Sequence, residues 1–540
     1  MGKISTRSTT RTSVASVANK KARKARLAKR NKDGLKAIQK QLQVSTRTFG
    51  SIKKELKRNL EGNFKIRCAP ESDPLSDVNM QDYSAAYEAN PVHQYTANAL
   101  ASVPVSLLAE NRAELMKVNY AYSHTMDKCP KATSQDHSGR CWMFAALNAM
   151  RYVIIKNFNL NDRFELSEAY LFFYDKLERS HYFLNKMVEF RTEPPTETRL
   201  HGMLTYFSPM EDGGTWSFFT NLVNKYGIVP KTCYGENFNS SYSDEMNKIM
   251  HNRLIEFVAY IRSTDRTDEQ LRAEITDVMM PQLYALMAQF MGEPPKTFDW
   301  SYHEVGETFE AVRDKGAYHL VKDLTPQVFF HQYIDNELQT GKKVILRNDP
   351  RTTSEFYKSY TVEHFGNMVG GRPDVALNVP IEVLKDAAAQ SIMNGRAVWF
   401  DCDVGKCMND DKSLLSTEAF DYEGILNTTL EVSKADGLDL RMSAPTHAML
   451  LVGVDMEDND TTKINKWRVE NSWGEWQSED DPGYLQMSDK WFQKYVYNVV
   501  VDLDLLPQEV QEAYLQNEFN PVVLPYNDAF GAVAAPRCRL

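Results

Sequence analysis

The chain has 540 residues, 42% of them hydrophobic and 25% charged, which is ordinary for a globular protein with a sizeable core. No apolar run approaches the roughly 20 residues that span a bilayer, and no signal-peptide pattern opens the chain, so a membrane-spanning or secreted class is not expected. The net charge of −9 hides an asymmetry: residues 1–60 hold 18 Lys/Arg against only Asp33 and Glu55, which leaves the remainder strongly acidic.

The first segment, 1–62, is rich in Ser, Thr, Lys and Arg and nearly lacks aromatics, so it reads as a basic extension without a fold of its own. Residues 20–30 carry the charge that would suit an anionic membrane surface, nucleic acid or nuclear import. Met1-Gly2-Lys-Ile-Ser-Thr6 fits an N-myristoylation pattern at Gly2, and the Arg- and Ser-rich composition also fits a mitochondrial transit peptide. A solvated tail is the plain alternative. The seven cysteines are odd in number and scattered, which argues against a disulfide framework and for a reducing cytoplasmic or nuclear setting. Cys402 and Cys407 lack a second Cys or His pair nearby, so a zinc site is not expected.

Globular sequence begins near residue 75. Residues 63–244 read as a helical lobe. Within it, 141–156 has helical spacing, with Phe144, Leu147, Tyr152 and Ile155 on an apolar face and Ser138 and Gly139 as cap and turn. Residues 245–395 read as mostly helical, with Leu271, Ile275, Val278, Leu286 and Phe290 along one face, stopped by Gly292-Glu-Pro-Pro295. From 396 to 520 the pattern changes to short apolar runs at 397–400, 449–454, 467–469 and 497–501, which read as strands of a β lobe. A C-terminal segment, 521–540, follows. The expected class is α+β.

Three separated segments carry chemistry. Cys141 sits in Gln135-Asp-His-Ser-Gly-Arg-Cys141-Trp-Met-Phe144, His447 in Thr446-His-Ala448, and Asn471 in Glu470-Asn-Ser-Trp-Gly474. A thiol is a poor nucleophile until it ionises, and both a helix start and a neighbouring imidazolium favour the thiolate. Cys141 would be the nucleophile, His447 its base and later acid, and Asn471 the group that orients the imidazole. Trp473 would shield that pair from water, and the Gln135 carboxamide with the Cys141 backbone N–H would face a developing oxyanion. Each residue alone has a plain structural reading; together, in this order, they state thiol-dependent amide hydrolysis. His137 lies in the loop before the helix and reads as cleft-lining, not as the base. Gly213 and Gly214, in Asp212-Gly-Gly-Thr-Trp216, would let a substrate backbone approach closely.

These flanks resemble the papain-like cysteine peptidases, and most closely their bleomycin hydrolase branch. The resemblance rests on Ser138-Gly-Arg-Cys-Trp142, Asp212-Gly-Gly214, Lys225-Tyr-Gly-Ile-Val-Pro-Lys231, Gly292-Glu-Pro-Pro-Lys-Thr-Phe-Asp-Trp300, Ala397-Val-Trp-Phe-Asp-Cys-Asp-Val-Gly-Lys406, Thr446-His-Ala-Met449 and Trp467-Arg-Val-Glu-Asn-Ser-Trp-Gly-Glu475, over roughly residues 75–534. It implies a two-lobed papain-like fold with a helical insertion, a homohexamer, and removal of amino acids from peptide N-termini without metal or organic cofactor; some members bind nucleic acid. It also implies a C-terminal arm lying in the cleft, whose terminal carboxylate anchors the substrate's free amine. Residues 523–534 resemble that arm, but the pattern ends near Ala534, and 535–540 exceed it as far as Leu540. Either the excess is trimmed by the enzyme itself, or it stays and blocks or re-routes the cleft.

Overall fold

The structure is a computed structural model and describes residues 77–196, 198–207, 209–305, 315–475 and 481–534. The extension 1–62 with its Gly2 and basic run 20–30, and the tail 535–540 with Leu540, lie outside these residues. The chain divides into two units at Asn90. In the first, the described part is a helix over Asp77–Ala89 with no buried side chain. All that follows concerns the second unit, which begins at Pro91.

Helix α1 (Cys141–Asn157) is the centre of the helical lobe, with 14 of its 17 residues buried. It is apolar on nearly every side, which suits a helix covered all round rather than one at a surface. The expected cap is corrected: the residue ahead of the helix is Arg140, which makes no side-chain cap. Ser138 instead donates to the Gln135 carbonyl at 2.7 Å and accepts from Arg140 Nε at 2.8 Å. Helix α2 (Glu168–Glu189) starts where the Ser167 hydroxyl accepts the Tyr170 N–H, and α3 (Trp216–Tyr226) where Thr215 accepts that of Phe218. Helix α3 ends at Gly227, whose φ of +68° and whose approach to Pro326, 2.2 Å from an added Cβ, exclude any other residue.

Beyond a short turn α4 (Phe238–Ser241) and a long helix α5 (Asp244–Ser263), the expected helical face holds at Leu271 and Ile275 but not at Val278, which is 52% exposed. A π-helical turn over Ile275–Met279 widens the helix there and hands the buried position to Met279. Helix α6 (Met280–Met291) completes this stretch. Past Met291 the segment expected to be mostly helical also carries five strands. A two-stranded hairpin pairs β1 (Phe298–Val305) with β2 (Lys315–Leu324). Then β3 (Lys343–Arg347), β4 (Ser359–Val362) and β5 (Ala376–Asn378) join the main sheet ahead of helix α7 (Ile381–Met393).

The sheet is completed by β6 (Val398–Cys402), β7 (His447–Met456), β8 (Ile464–Glu470), β9 (Tyr484–Ser488), β10 (Val496–Asp502) and β11 (Val522–Leu524). Its order is β11-β4-β5-β3-β10-β6-β7-β8-β9, extended by short strands at Leu414–Leu415 and Met408–Asn409, with His124–Thr125 also pairing β7. The central strands are covered on both faces. Trp399, Ala448, Leu450 and Val452 pack with the α1 side, whereas Val398, Phe400, Met449 and Leu451 pack with Leu384, Ala388 and Ile392 of α7. A helical lobe on one face of the mixed sheet, with α7 on the other, makes this an α+β fold. Among the described residues no helix is long and apolar enough to cross a membrane.

Candidate active site

Cys141 is the first residue of α1 and is 4% exposed. The loop before it is held rigidly. Asp136 adopts φ +50°, a conformation that costs a non-glycine residue energy, and its side chain and backbone both bond Ser134. Arg140 is wholly buried between Phe144 and Phe172, with its guanidinium on Glu236 at 3.0 Å. The start of the helix places partial positive charge beside the thiol.

His447 opens β7, opposite Cys402 of β6. Asn471 immediately follows β8, the other neighbour of β7. Adjacent strands thus bring the two together, with His447 Nε2 2.9 Å from Asn471 Oδ1. The Ser472 N–H, which can only donate, meets the same Asn471 atom at 2.8 Å. That atom is therefore the amide oxygen, and Nε2 must carry the proton it shares with it. Nδ1 is left as the basic nitrogen. Trp473 covers the pair, its ring 5.0 Å from that of His447.

Two sets of bonds lock this half of the site to the half that carries Cys141. Main-chain bonds run from Gln135 N to Ser472 O at 2.8 Å and from Gly474 N to Thr133 O at 2.9 Å, and the Ser472 hydroxyl donates to Gln135 Oε1 at 2.6 Å. Trp399 of β6 donates to the Trp142 carbonyl in the first turn of α1 at 3.0 Å. Gln135 is buried, with Nε2 donating to the Ser138 carbonyl at 2.6 Å.

The Asp212 carboxylate is the third support. It accepts from Gly139 N at 3.1 Å, Lys176 Nζ at 2.7 Å, Asn247 Nδ2 at 2.7 Å and Ser243 Oγ at 2.5 Å, while its carbonyl accepts from Trp142 Nε1 at 2.7 Å. Burial alone would raise its pKa, but the Lys176 ammonium and these donors hold it well below the usual carboxylate range. Gly214 lies against the Trp142 ring, 2.6 Å from an added Cβ, so only glycine fits. The Gly213 carbonyl is taken by Arg179 at 2.6 Å. The exposed His137 ring stacks on Tyr242.

The C-terminal arm is anchored as β11 alongside β4, with Glu363 N donating to Leu524 O at 2.9 Å. Asp528 pairs with Arg351 at 2.9 Å, and Phe530 is buried under Arg347, 4.0 Å from its guanidinium. Tyr497, beside Phe530, bonds Ser443 at 2.6 Å; Ser443 bonds Asp403 at 2.8 Å, and Asp403 accepts from Thr446, the neighbour of His447. Ala534 closes the 3-10 turn Ala529–Ala534. Among the described residues no group of His, Cys, Asp and Glu is placed to hold a metal ion, and the five described cysteines form no disulfide.

Two supports carry no local sequence signal. Glu470 is buried on the strand that delivers Asn471; it accepts from Tyr152 of α1 at 2.8 Å and lies 3.6 Å from Arg151. Burial raises its pKa while Arg151 and Tyr152 oppose the rise. Glu168 is fully buried with neither carboxylate oxygen hydrogen-bonded, 3.7 Å from Lys231 and near Glu236, the partner of Arg140.

Removing the Glu470 carboxylate leaves the Tyr152 hydroxyl without its acceptor and the buried Arg151, which keeps hydrogen bonds to Phe164, Asn148, Lys131 and Asp162, without its opposite charge. Glu470→Ala should lose about 3 kcal/mol of stability and Tyr152→Phe about 1 kcal/mol, with kcat/KM falling further in the first. Denaturant unfolding checks this, and a Glu470→Ala protein as stable as the parent contradicts it. Burial raises the Glu168 pKa above its ordinary 4.5 despite Lys231. The stability its protonated form supplies is complete below pH 4.5 and is lost as pH rises through the elevated folded value. Between pH 5 and 8 the unfolding midpoint should therefore fall more steeply in the parent than in Glu168→Gln; parallel curves contradict the assignment.

A family model described as the Peptidase C1-like family matches residues 74–531. Among curated relatives, mouse (Mus musculus) bleomycin hydrolase is 38% identical over 429 residues, 78% of this chain and 90% of that protein. Aminopeptidase C of Lactobacillus delbrueckii subsp. lactis is 33% identical over 469 residues, 86% of this chain and 99% of its own length. The crystal structure of PepW from Lactobacillus rhamnosis superposes with a TM-score of 0.78 at 33% identity, covering 86% of this chain and all of that one. The chain belongs to the Peptidase C1-like family, with a papain-like fold, and is a cysteine-type aminopeptidase related to bleomycin hydrolase and aminopeptidase C.

Proposed function

We propose that Cys141, His447 and Asn471 carry the hydrolysis and that the C-terminal arm restricts it to peptide N-termini. The observation that supports this best is the shared Asn471 oxygen, which leaves Nδ1 of His447 as the basic nitrogen. In the resting pair His447 holds the thiol proton. The thiolate attacks the carbonyl carbon of the first peptide bond, and the resulting oxyanion takes the Cys141 backbone N–H and the second Nε2 hydrogen of Gln135. His447 gives its proton to the departing amine, leaving an acyl-enzyme thioester. It then takes a proton from water, which releases the amino acid and regenerates the thiol.

Gly214 and Trp473 border the bound chain, and the arm continuing beyond Ala534 supplies the carboxylate that meets the substrate's ammonium. A carboxylate there rewards a free amine and excludes internal stretches of chain. A homohexamer in the cytoplasm is the assembly and setting that the family resemblance attaches to this reading.

A digestion time course on one peptide with a free or an acetylated N-terminus tests the reading. Stepwise loss from the free form alone is expected, and Cys141→Ala should reduce it by at least about 10³-fold. Cleavage by Cys141→Ala at the parent rate, or internal cuts in both peptides, would overturn it.

A further inference from the structure

Beside the nucleophile the surface carries a stack of three aromatic rings that the proposed reaction does not use. His137 stacks on Tyr242 with centroids 4.7 Å apart and planes 27° apart, and Tyr242 stacks on Phe238 at 5.0 Å and 14°. The stack is open to solvent: Phe238 is 71% and Tyr242 46% exposed. It is also rigid. Phe238 begins the capped turn α4, in which Asn237 and Ser240 bond each other reciprocally, and Asn237 and Asn239 both hold the Phe290 carbonyl, at 3.1 and 2.9 Å. His137 N bonds Ser241 O at 3.0 Å, which ties the turn to the loop four residues before Cys141, and the strained Asp136 sets the course of that loop. Exposed, pre-ordered aromatic rings are the kind of surface that binds flat apolar groups with little entropy cost.

We propose that this stack is a substrate subsite, which selects aromatic side chains downstream of the scissile bond. The inference rests on Cys141 being the nucleophile. The direction follows from the pairing of the nucleophile's loop with the Trp473 segment, through the Ser134 to Trp473 bridge and Gln135 N to Ser472 O. That loop therefore borders the side where His447 protonates the leaving amine, and the substrate chain continues past it. The two ring spacings carry the stack about 10 Å from His137 to Phe238, the span of three extended residues at roughly 3.3 Å each. With His137 beside the scissile bond and the stack running along the bound chain, the exposed Phe238 ring would meet about the fourth residue of the peptide.

The test uses full-length Cys141→Ala protein and two alanine-based pentapeptides with tryptophan or glycine at the fourth position, titrated by calorimetry. The tryptophan peptide should bind about three- to tenfold more tightly, the scale of one aromatic pair. Phe238→Ala in that background should bring the ratio close to one, and Phe238→Trp should restore it. Phe238 is exposed, so its truncation does not open the core. A ratio near one in the parent, or one unchanged by Phe238→Ala, overturns the subsite. Hydrolysis of both peptides by protein with Cys141 intact is followed in parallel. Absence of cleavage with a Phe238-dependent binding ratio refutes the catalytic reading and with it the subsite, leaving the rings as a peptide-binding surface only, whereas cleavage with a ratio near one overturns the subsite alone.

Discussion

His447 can serve Cys141 only if a strand and a helix from distant parts of the chain keep a fixed separation, and the rest of the site depends on that constraint. Apolar packing between α1 and the sheet supplies adhesion but little register, because it is non-directional. Register comes from directed bonds in a dry interior. The Ser472 hydroxyl on Gln135, the Trp399 indole on the Trp142 carbonyl and the Tyr152 hydroxyl on Glu470 each join the half that carries Cys141 to the half that carries His447. A hydrogen bond between buried partners contributes only about 1 kcal/mol net, but leaving one partner unmatched costs more. Sliding one half past the other would strand several partners at once, so the geometry is specified more sharply than the energy of any single contact suggests.

The same logic explains the unusual number of charges in the interior. Arg140, Lys176 and Asp212 surround the start of α1, and Arg151 and Glu470 its third and fourth turns, all of them buried. Replacing such pairs by apolar groups is often neutral for stability, so stability is a weak reason for them. Positioning is a better one. Asp212 reaches the Gly139 N–H and its carbonyl the Trp142 indole, which fixes the turn before Cys141 and the ring behind it. Arg140 fixes the residue between, through Ser138 and Glu236.

The three segments around Cys141, His447 and Asn471 were legible because a cysteine at a helix start and an imidazole beside an amide leave dense local signatures, and the structure brings His447 and Asn471 into contact. What lay between them was less legible, for identifiable reasons. The strand Lys343–Arg347 is buried at every position, so it lacks the alternation that marks a half-exposed strand. The hairpin strand Phe298–Val305 does alternate, with Phe298 and Trp300 inside and Asp299 and Ser301 outside, and that period of two sat within a segment read as helical. Asp212 was read for the glycines after it, because its ammonium partner lies 36 residues upstream on α2. Glu470 and Tyr152 are 318 residues apart, and no spacing rule connects them. The start of α1 was misread at its cap because Ser138 spends its hydroxyl on the preceding loop and on Arg140.

The proposed pairing of Cys141 with His447 requires that the thiol ionise more readily than a free one. The most direct measurement is the rate of Cys141 alkylation by iodoacetamide across pH, in the parent and in His447→Ala, with Cys141→Ala as the blank. An ordinary thiol ionises near pH 8.5. The parent rate should reach its plateau well below that value, and the His447→Ala rate should rise near it. Identical profiles in the two proteins would contradict the pairing.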